Sequence, residues 1–145
     1  MIDNSAKTAI SRCRLSAPAE YLLDEGLLIG RILDYGCGKG DLKKFLDGDI
    51  VQWDPYYYPK KPRGRFDTVV CIYVLNALSA HRRRNVLKHA KEYVKPGGCL
   101  YIAVRRDLEI EGRRRNGTEQ HNIQLKLPSI ARRSGGFEIY CWINK

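Results

Sequence analysis

The sequence predicts an α/β fold with a mostly parallel, twisted sheet and an antiparallel strand at its C-terminal end. Short apolar runs typical of strands alternate with segments of helical periodicity, an order that favours parallel pairing. Residues 67–73 are almost entirely apolar, as expected for a central strand buried on both faces. A chain of 145 residues has the length of one ordinary domain. We therefore expect a single domain, 1–145, comprising an N-terminal basic segment with a helix (1–30), a core (31–105), and a C-terminal loop with closing strands (106–145).

The first elements are a helix and one strand–turn–helix unit. The helix is expected around Pro18, with Ser16 as its N-cap and Gly26 as its C-terminal stop. Residues 31–35 predict a buried strand, and a second helix begins at Asp41 after a glycine-rich turn.

The alternation continues through the middle of the chain. Residues 50–53 predict a second strand, which an Asp-Pro pair ends. After the central strand, residues 80–94 carry apolar side chains with the spacing of an amphipathic helix. A Lys-Pro-Gly-Gly turn at 95–98 ends that helix, and residues 99–105 predict the next strand.

The C-terminal part predicts a charged loop through Asn116 and Gly117, followed by two closing strands. These strands are expected at 123–127 and 137–143, joined by a piece that contains a Gly-Gly pair. Such a closing pair would supply the antiparallel strand of the sheet.

Composition excludes several classes of protein. The five cysteines are scattered singly without a C-x-x-C pair, and the three histidines lack ligand spacing, so we expect no metal site and no disulfide framework. No run of about 18 apolar residues suggests a membrane span. Residues 1–5 lack the features of a signal peptide, and a cytoplasmic location is expected.

The net charge of +10 favours a polyanionic partner. It arises from 26 Lys and Arg against 16 Asp and Glu, with arginines in several clusters. Nucleic acid is the commonest partner of so basic a domain. The alternative is a solvated basic surface that only keeps the protein in solution.

A glycine turn follows the first predicted strand, where open α/β sheets bind their ligands. Gly36, Gly38 and Gly40 permit positive φ and close approach of a ligand to the backbone. Asp34 precedes this turn, and Asp54 ends the second strand, where a carboxylate can bind both ribose hydroxyls of a nucleoside cofactor. The dinucleotide fingerprint places its third glycine five positions after the first, whereas here the separation is four.

This turn resembles motif I of the class I S-adenosylmethionine-dependent methyltransferases. Other landmarks of that family follow in order: Asp54 as the acid of the second strand, 66–70 as the fourth-strand motif, and 94–98 before the fifth strand. The resemblance covers about residues 30–105 and implies a Rossmann-like methyltransferase domain in which 31–105 binds the cofactor.

The resemblance implies S-adenosylmethionine as cofactor and S-adenosylhomocysteine as product. Asp34 and the glycine backbone would hold the methionine end, Asp54 the ribose, and Pro55 with Tyr56 the adenine. The residues assigned to cofactor binding are Asp34, Tyr35, Gly36, Gly38, Gly40, Asp54, Pro55 and Tyr56. The alternatives are a tight turn without a ligand and, for Asp54, an ordinary turn residue before proline.

A closer likeness concerns the methyltransferases associated with DNA phosphorothioation and their stand-alone bacterial and phage relatives. This likeness favours DNA as the partner, but it does not indicate which molecule is methylated. The segments that carry the likeness are 8–12, 15–18, 33–38, 53–57, 73–76 and 117–120.

Tyr73 and Asn76 are the candidate catalytic residues, because the segment after the central strand should face the transferred methyl group. They would orient a nucleophile by hydrogen bonding; the alternative is that both are structural. The chain lacks the Asn/Asp/Ser-Pro-Pro-Tyr motif of exocyclic amino-methyltransferases and the Pro-Cys nucleophile of cytosine-C5 enzymes. Methyl transfer depends mainly on positioning and desolvation, so a base is needed only for a protonated nucleophile.

Only 12 residues separate Asp54 from Asp67, where full-length relatives have a helix and another strand. Three prolines argue against a central strand here, so we expect the sheet to be shortened and exposed at the second strand. The basic, tyrosine-rich connection would cover that edge and could contact nucleic acid. Alternatively, its tyrosines only form a lid over the edge.

The sequence therefore predicts a methyltransferase that acts on nucleic acid. A small-molecule or protein substrate remains open, as does a cofactor-binding partner subunit without catalysis. A partner protein is possible, and its identity is not predicted.

Overall fold

The computed structural model describes residues 8–9, 13–108, 112–113, 115 and 117–145. Within these residues, eight strands and three α-helices are formed. The helices are α1 (Ala17–Asp24), α2 (Asp41–Phe45) and α3 (Ala80–Glu92). The strands are β1 (Ile32–Tyr35), β2 (Ile50–Trp53), β3 (Phe66–Ile72), β4 (Val94–Arg105), β5 (Gly112–Arg113), β6 (Glu119–Gln120), β7 (Ser129–Arg132) and β8 (Phe137–Ile143). A short 3-10 helix spans Leu75–Ala77.

The main sheet has six strands in the order β2-β1-β3-β4-β8-β7. The first four are parallel, and β8 and β7 add antiparallel pairs at the C-terminal end. This confirms the predicted fold class. β2 forms one edge of the sheet, and along the chain no strand element intervenes between β2 and β3, which agrees with the predicted shortening.

Helix α1 begins where the sequence predicts it. Ser16 occupies the N-cap with extended backbone, and its carbonyl accepts from the Glu20 amide at 2.9 Å. The Ser16 side chain makes no capping hydrogen bond. Gly26 follows the helix with φ of +69°, a conformation that glycine adopts without steric cost.

Two layers of apolar side chains lie on the two faces of the sheet. On one face, Ala90 of α3 and Tyr93, the residue that caps its C-terminus, pack with Leu33 and Val69. On the other face, Ala19 and Leu22 of α1 pack with strand residues such as Ile32 and Val70. The alternation of neighbours between the layers explains why β3 is apolar at consecutive positions.

The predicted strand at 123–127 is wrong, because the strand that pairs with β8 is β7. Ile123 is buried, and Leu125 and Leu127 pack against the core, so the alternation of apolar residues does report burial. However, the Ile123 carbonyl accepts from Arg106 Nη2 at 2.6 Å, a side-chain hydrogen bond in place of a strand partner. Alternation detects side-chain burial and does not detect backbone pairing.

The predicted turn at 95–98 is instead part of β4. Gly97 donates its amide to the Asn144 carbonyl at 2.6 Å, and the Asn144 amide donates to Gly98 at 3.0 Å. The preceding helix α3 ends at Glu92, two residues earlier than predicted. Pairing with the distant residue Asn144 is a tertiary contact that local turn residues do not indicate.

The predicted charged loop contains the small β5–β6 hairpin, with Gly112 paired to Gln120. Asn116 lies outside the described residues, as do residues 10–12 of the segment likened to phosphorothioation-associated enzymes. No described helix combines the length and the apolar character that crossing a membrane requires. The described residues contain no group of three or more potential metal ligands.

Candidate functional site

A cavity of about 560 Å³ opens at the carboxyl ends of the parallel strands. The ends of β1, β2 and β3 contribute Tyr35, Trp53 and Ile72 to its lining. The loops that follow these three strands converge there, because parallel strands end at the same edge of a sheet. The cavity therefore lies where the sequence predicts a ligand.

Most of the predicted site residues line this cavity. Gly40 and Asn76 are not among its lining residues. The predicted residues that do line it are Asp34, Tyr35, Gly36, Gly38, Asp54, Pro55, Tyr56 and Tyr73.

The glycine turn is tied to the end of β2. Gly36 and Cys37 both donate their amides to the Trp53 carbonyl, at 2.8 and 3.0 Å. Gly36 has φ of +73°, and a Cβ built there would lie 2.5 Å from Val74 Cγ2. Both the backbone conformation and the close approach of the Tyr73–Val74 segment require glycine at this position.

Gly40 has a structural role in the same turn. It is the N-cap of α2 in the left-handed conformation, with φ of +84°. Its carbonyl accepts from Gln52 Nε2 at 3.1 Å, and a Cβ at this position would collide with that amide. Gly40 thus shapes the turn without lining the cavity.

Asp34 places a buried carboxyl group against the cavity. Its residue surface is 6% exposed, and no hydrogen bond from a described residue reaches its carboxylate. Burial, followed by the negative charges of Asp41 and Asp54, raises the pKa of Asp34 to about 7. A cationic group in the cavity would relieve this unfavourable environment.

Asp54 connects the glycine turn to the loop after β2. Its Oδ2 accepts from the Gly38 amide at 2.9 Å. Its Oδ1 accepts from the amides of Tyr56 and Tyr57 at 2.8 and 3.0 Å. An ionised carboxylate has about four acceptor positions, so capacity for a ligand hydroxyl remains.

Tyr56 and Pro55 form an open wall of the cavity. Tyr56 is 70% exposed, and its ring meets that of Tyr57 edge to face at 4.7 Å between centroids. An exposed ring of this kind presents a flat apolar face at the cavity mouth.

Tyr73 is the only non-glycine residue with positive φ among those described, at +59°. Its amide donates to the Ala103 carbonyl at 2.9 Å, which holds the end of β3 against β4. Residues other than glycine adopt this backbone conformation at an energetic cost, and such residues concentrate at functional sites.

Asn76 is completely buried, and its amide joins two other segments. Its Nδ2 donates to the His121 carbonyl at 2.6 Å, and its Oδ1 accepts from the Arg105 amide at 2.8 Å. Its backbone carbonyl accepts from the His121 amide at 2.8 Å. These hydrogen bonds hold the turn after β3, which contains Tyr73 and Asn76, against the segments at Arg105 and His121.

The phenol of Tyr35 takes part in an aromatic cluster beside α3. Its hydroxyl lies 2.7 Å from His89 Nδ1, and its ring lies 4.8 Å from that of Trp53. These contacts use the polar end of its side chain within the cluster.

Neither cysteine near the cavity is prepared as a nucleophile. Burial, followed by the charges of Asp34 and Asp54, raises the pKa of the Cys37 thiol. Burial also raises the pKa of Cys71 to about 12. Both thiols therefore stay protonated at neutral pH.

Sequence reasoning missed the contributions of α3 and of the segment before α1. Arg82, Asn85 and Val86 line the cavity from α3, and Thr8 and Ser16 line it from the N-terminal side. Helix α3 is the first α-helix after the carboxyl end of β3, and this order along the chain is a signal that would have indicated its first turns.

The family described as "Methyltransferase domain" matches residues 8–131 of this chain. No curated protein matches the sequence. A structure described as the DhpI–SAH complex is similar with a TM-score of 0.62 and 15% identity, covering 88% of this chain and 84% of that chain. Magnesium protoporphyrin IX methyltransferase (ChlM) from Synechocystis PCC 6803 with bound SAM gives a TM-score of 0.52 and 14% identity, covering 89% and 77%. At these identities the two structures show a shared fold.

Proposed function

Since this chain belongs to the methyltransferase-domain family that matches residues 8–131, we propose that it transfers a methyl group from S-adenosylmethionine to an acceptor. S-Adenosylhomocysteine is the other product. The observation that carries the proposal is one cavity in which the glycine turn at 36–38 meets the carboxylates of Asp34 and Asp54.

The residues present fit this cofactor. Asp34 offers a cationic methionine end a carboxylate that accepts no hydrogen bond from the described part of the chain, and the positive φ of Gly36 would let the backbone lie close to the ligand. Asp54 has acceptor capacity left for a ribose hydroxyl, and Tyr56 offers a flat ring to adenine. The DhpI and ChlM structures, which share the fold, contain SAH and SAM respectively, and this supports the proposal.

The bound cofactor would supply an electrophilic methyl group on a sulfonium. The task of the chain is then to align an acceptor with that methyl group and to exclude water. Tyr73 is the candidate for orienting the acceptor, because it lies at the end of β3 and lines the cavity. Asn76 would position this turn through its hydrogen bonds to Arg105 and His121.

Nucleic acid is the acceptor we favour. The net charge of +10 supports a polyanionic partner, as does the resemblance to methyltransferases associated with DNA phosphorothioation.

A small-molecule acceptor is the second candidate. The cavity is a recess partly lined by apolar side chains, including Leu15, Ala19 and Val86, which suits a compact organic molecule. ChlM, which shares the fold, is named for magnesium protoporphyrin IX, itself such a molecule. A partner subunit that binds the cofactor without catalysis is the third candidate.

Calorimetric titration with S-adenosylhomocysteine tests the cofactor site. Asp54→Ala removes the acceptor proposed for ribose and three backbone hydrogen bonds, so binding should weaken by about 100-fold or more. Asp47→Ala, a change at an exposed aspartate, is the matched control and should bind as the wild type. Unchanged affinity in a folded Asp54→Ala variant would refute the cofactor assignment.

Transfer of a labelled methyl group separates the acceptor candidates. Protein that binds S-adenosylhomocysteine is incubated with labelled cofactor and with DNA, tRNA, rRNA or a small-molecule extract. We expect label in a nucleic acid. Label confined to the small-molecule fraction would favour the second candidate, and no transfer to any fraction would favour the third.

A further inference from the structure

The connection between β2 and β3, residues 55–65, starts at the cavity and leads away from it. We call it the basic crossover. Pro55 and Tyr56 line the cavity at the carboxyl end of the sheet. Arg65 immediately precedes Phe66, which begins β3 at the amino end. The basic crossover therefore extends along the molecule from one end of the parallel strands to the other.

Both ends of the basic crossover are held in place. At the cavity end, the backbones of Asp54 and Tyr58 exchange hydrogen bonds of 3.0 and 3.1 Å. At the far end, Arg31 Nη1 donates to the carbonyls of Arg63 and Arg65 at 2.9 and 3.1 Å. A surface that is ordered before binding loses less conformational entropy when a partner arrives.

The last six residues of the basic crossover, 60–65, include four exposed cationic side chains: Lys60, Lys61, Arg63 and Arg65. Across the parts of the chain that the structure covers, none of their side chains has an ion pair or a hydrogen bond. The basic crossover contains no acidic residue. By contrast, Arg106 is buried against Glu138 at 2.7 Å. The cations of the basic crossover are thus available to an anionic partner.

Tyrosine rings occupy the same surface. Tyr56 is 70% exposed at the cavity mouth, and Tyr58 is 38% exposed two residues further on. The Tyr58 hydroxyl reaches the Lys39 carbonyl of the glycine turn at 3.5 Å, a long contact. Exposed rings next to cations match the chemistry of unpaired nucleotides, whose bases stack on aromatic faces while their phosphates pair with Lys and Arg. A duplex hides those base faces.

We propose that the basic crossover binds single-stranded nucleic acid and leads it to the cavity. Phosphates lie along Lys60, Lys61 and Arg63, a base stacks on Tyr58, and the target base enters past Tyr56. An unpaired base enters the cavity without the energetic cost of leaving a duplex. This inference rests on the proposed methyl transfer and defines its acceptor as an unpaired nucleotide.

Binding of dye-labelled single strands of about 12 nucleotides, measured by fluorescence polarisation, tests the inference. Separate DNA and RNA strands distinguish the two sources of such a strand. The triple variant Lys60→Gln/Lys61→Gln/Arg63→Gln should weaken binding roughly 10- to 100-fold at low salt. It should also reduce the slope of log K against log salt by about 2, because each phosphate contact on a single strand contributes about 0.7.

A matched triple variant near the opposite edge of the sheet, formed by β7, controls for net charge. Lys126→Gln/Arg132→Gln/Lys145→Gln removes the same charges from exposed positions on or beside β7 and β8. It should change affinity by less than about threefold. Equal loss in the two triples, or none in the first, would overturn the basic crossover as the binding surface.

Variants of Tyr58 and a duplex of the same sequence test the single-strand assignment. Tyr58→Leu should weaken strand binding about fivefold or more through loss of stacking, whereas Tyr58→Phe should retain it. The duplex should bind less tightly than the strand and be insensitive to Tyr58→Leu. Equal or tighter duplex binding would overturn the assignment.

Calorimetry with S-adenosylhomocysteine separates this inference from the proposed function. Lys60, Lys61 and Arg63 do not line the cavity, so the first triple should bind S-adenosylhomocysteine as the wild type does. Wild-type protein that binds S-adenosylhomocysteine but no strand would overturn this inference alone. Failure of the wild type to bind S-adenosylhomocysteine would instead overturn the proposed function.

Discussion

At the scale of single residues, the ionised Asp34 carboxylate lowers the stability of the free protein, whereas the same carboxylate would bind the cationic end of the cofactor. Its carboxyl is buried and accepts no hydrogen bond from the residues that the structure describes, and its pKa is raised from 3.8 to about 7 by burial and by the negative charges of Asp41 and Asp54. A group whose pKa is raised in the folded state binds its proton more tightly there than in the unfolded state. Ionisation of Asp34 therefore opposes folding, and a cationic ligand would reverse this effect.

Asp34→Asn should stabilise the free protein at alkaline pH and weaken cofactor binding. Below about pH 4, Asp34 is protonated in both states and has no effect; between about pH 4 and 7 stability falls as pH rises, and the loss is complete above about pH 7. The variant should exceed the wild type by up to about 4 kcal/mol at about pH 8, since each pKa unit corresponds to about 1.4 kcal/mol.

Urea unfolding of the two proteins at about pH 4 and about pH 8 measures this difference. Other titrating groups are common to both proteins, so their effects cancel. A stability difference that does not change with pH would contradict the assigned origin. Affinity for S-adenosylhomocysteine, measured in parallel, should fall in the variant.

At Tyr73, too, a feature that costs stability lies at the cavity: the backbone is strained, and the residue lines the cavity. Its φ of +59° costs a non-glycine residue about 1 kcal/mol or more. Hydrogen bonding to Ala103 maintains this geometry. The strain is consistent with a side chain whose position matters for function, which is the role proposed above.

Comparison of Tyr73→Gly with Tyr73→Ala isolates this strain. Both variants lose the phenol, but only glycine adopts φ of +59° freely, so Tyr73→Gly should be the more stable by about 1 kcal/mol in urea unfolding. Both should lose methyl transfer while retaining S-adenosylhomocysteine. Transfer at the wild-type rate in either variant would exclude Tyr73 from orienting the acceptor.

At the scale of elements, side chains hold the segment between β6 and β7. Arg106 donates to Glu138 Oε1 from Nη2 at 2.7 Å and to the Ile123 carbonyl at 2.6 Å. Ser129 Oγ donates to Glu138 Oε2 at 2.6 Å. Burial by itself raises the pKa of Glu138, but hydrogen bonds from Ser129, Arg106 and Tyr140 together lower it. This network holds in place the segment 123–127, for which the sequence predicts a strand.

Glu138→Gln should destabilise the protein by about 3–5 kcal/mol, because it leaves the buried Arg106 charge without its partner. Since the pKa of Glu138 is lowered below 4.5, the difference from the wild type should be present at neutral pH and shrink as the pH falls below 4.5. Chemical unfolding across that range provides the measurement.

Asp107→Asn is the control, since it alters the exposed pair of Arg105 and Asp107 at a similar distance of 2.8 Å. Exposed pairs contribute about 1 kcal/mol or less, so this variant should stay close to the wild type. Similar losses in the two variants would contradict the importance of burial for the Glu138 pair.

The elements that the sequence predicts well are those with local boundaries. β2 and β8 have the predicted residue ranges, since an Asp-Pro pair ends the first and a Gly-Gly turn precedes the second. The strand predicted at 123–127 is wrong because the apolar spacing of this segment suits both a strand and an extended loop packed on the core. Only the positions of Arg106 and β8 distinguish the two.

At the scale of the whole molecule, the sheet order brings distant parts of the chain to one cavity. Its lining combines Thr8 before α1, the glycine turn, the end of β2, the turn at Tyr73 and Arg82 of α3. The same order leaves β2 at an edge, and the basic crossover connects this edge to the amino end of β3. The cavity proposed for methyl transfer and the surface proposed to bind single-stranded nucleic acid would therefore adjoin each other in one small domain.

The sequence by itself determined the alternation of strands and helices, the glycine turn, and the acids at the ends of β1 and β2. These features depend on local backbone requirements, such as positive φ and periodic burial, which residue types express directly. Only the tertiary structure decided which polar side chains remain available to a ligand. Asn76 is used by His121 and Arg105, whereas Asp34 has no hydrogen bond from the described chain, because hydrogen-bond partners come from segments far apart in sequence.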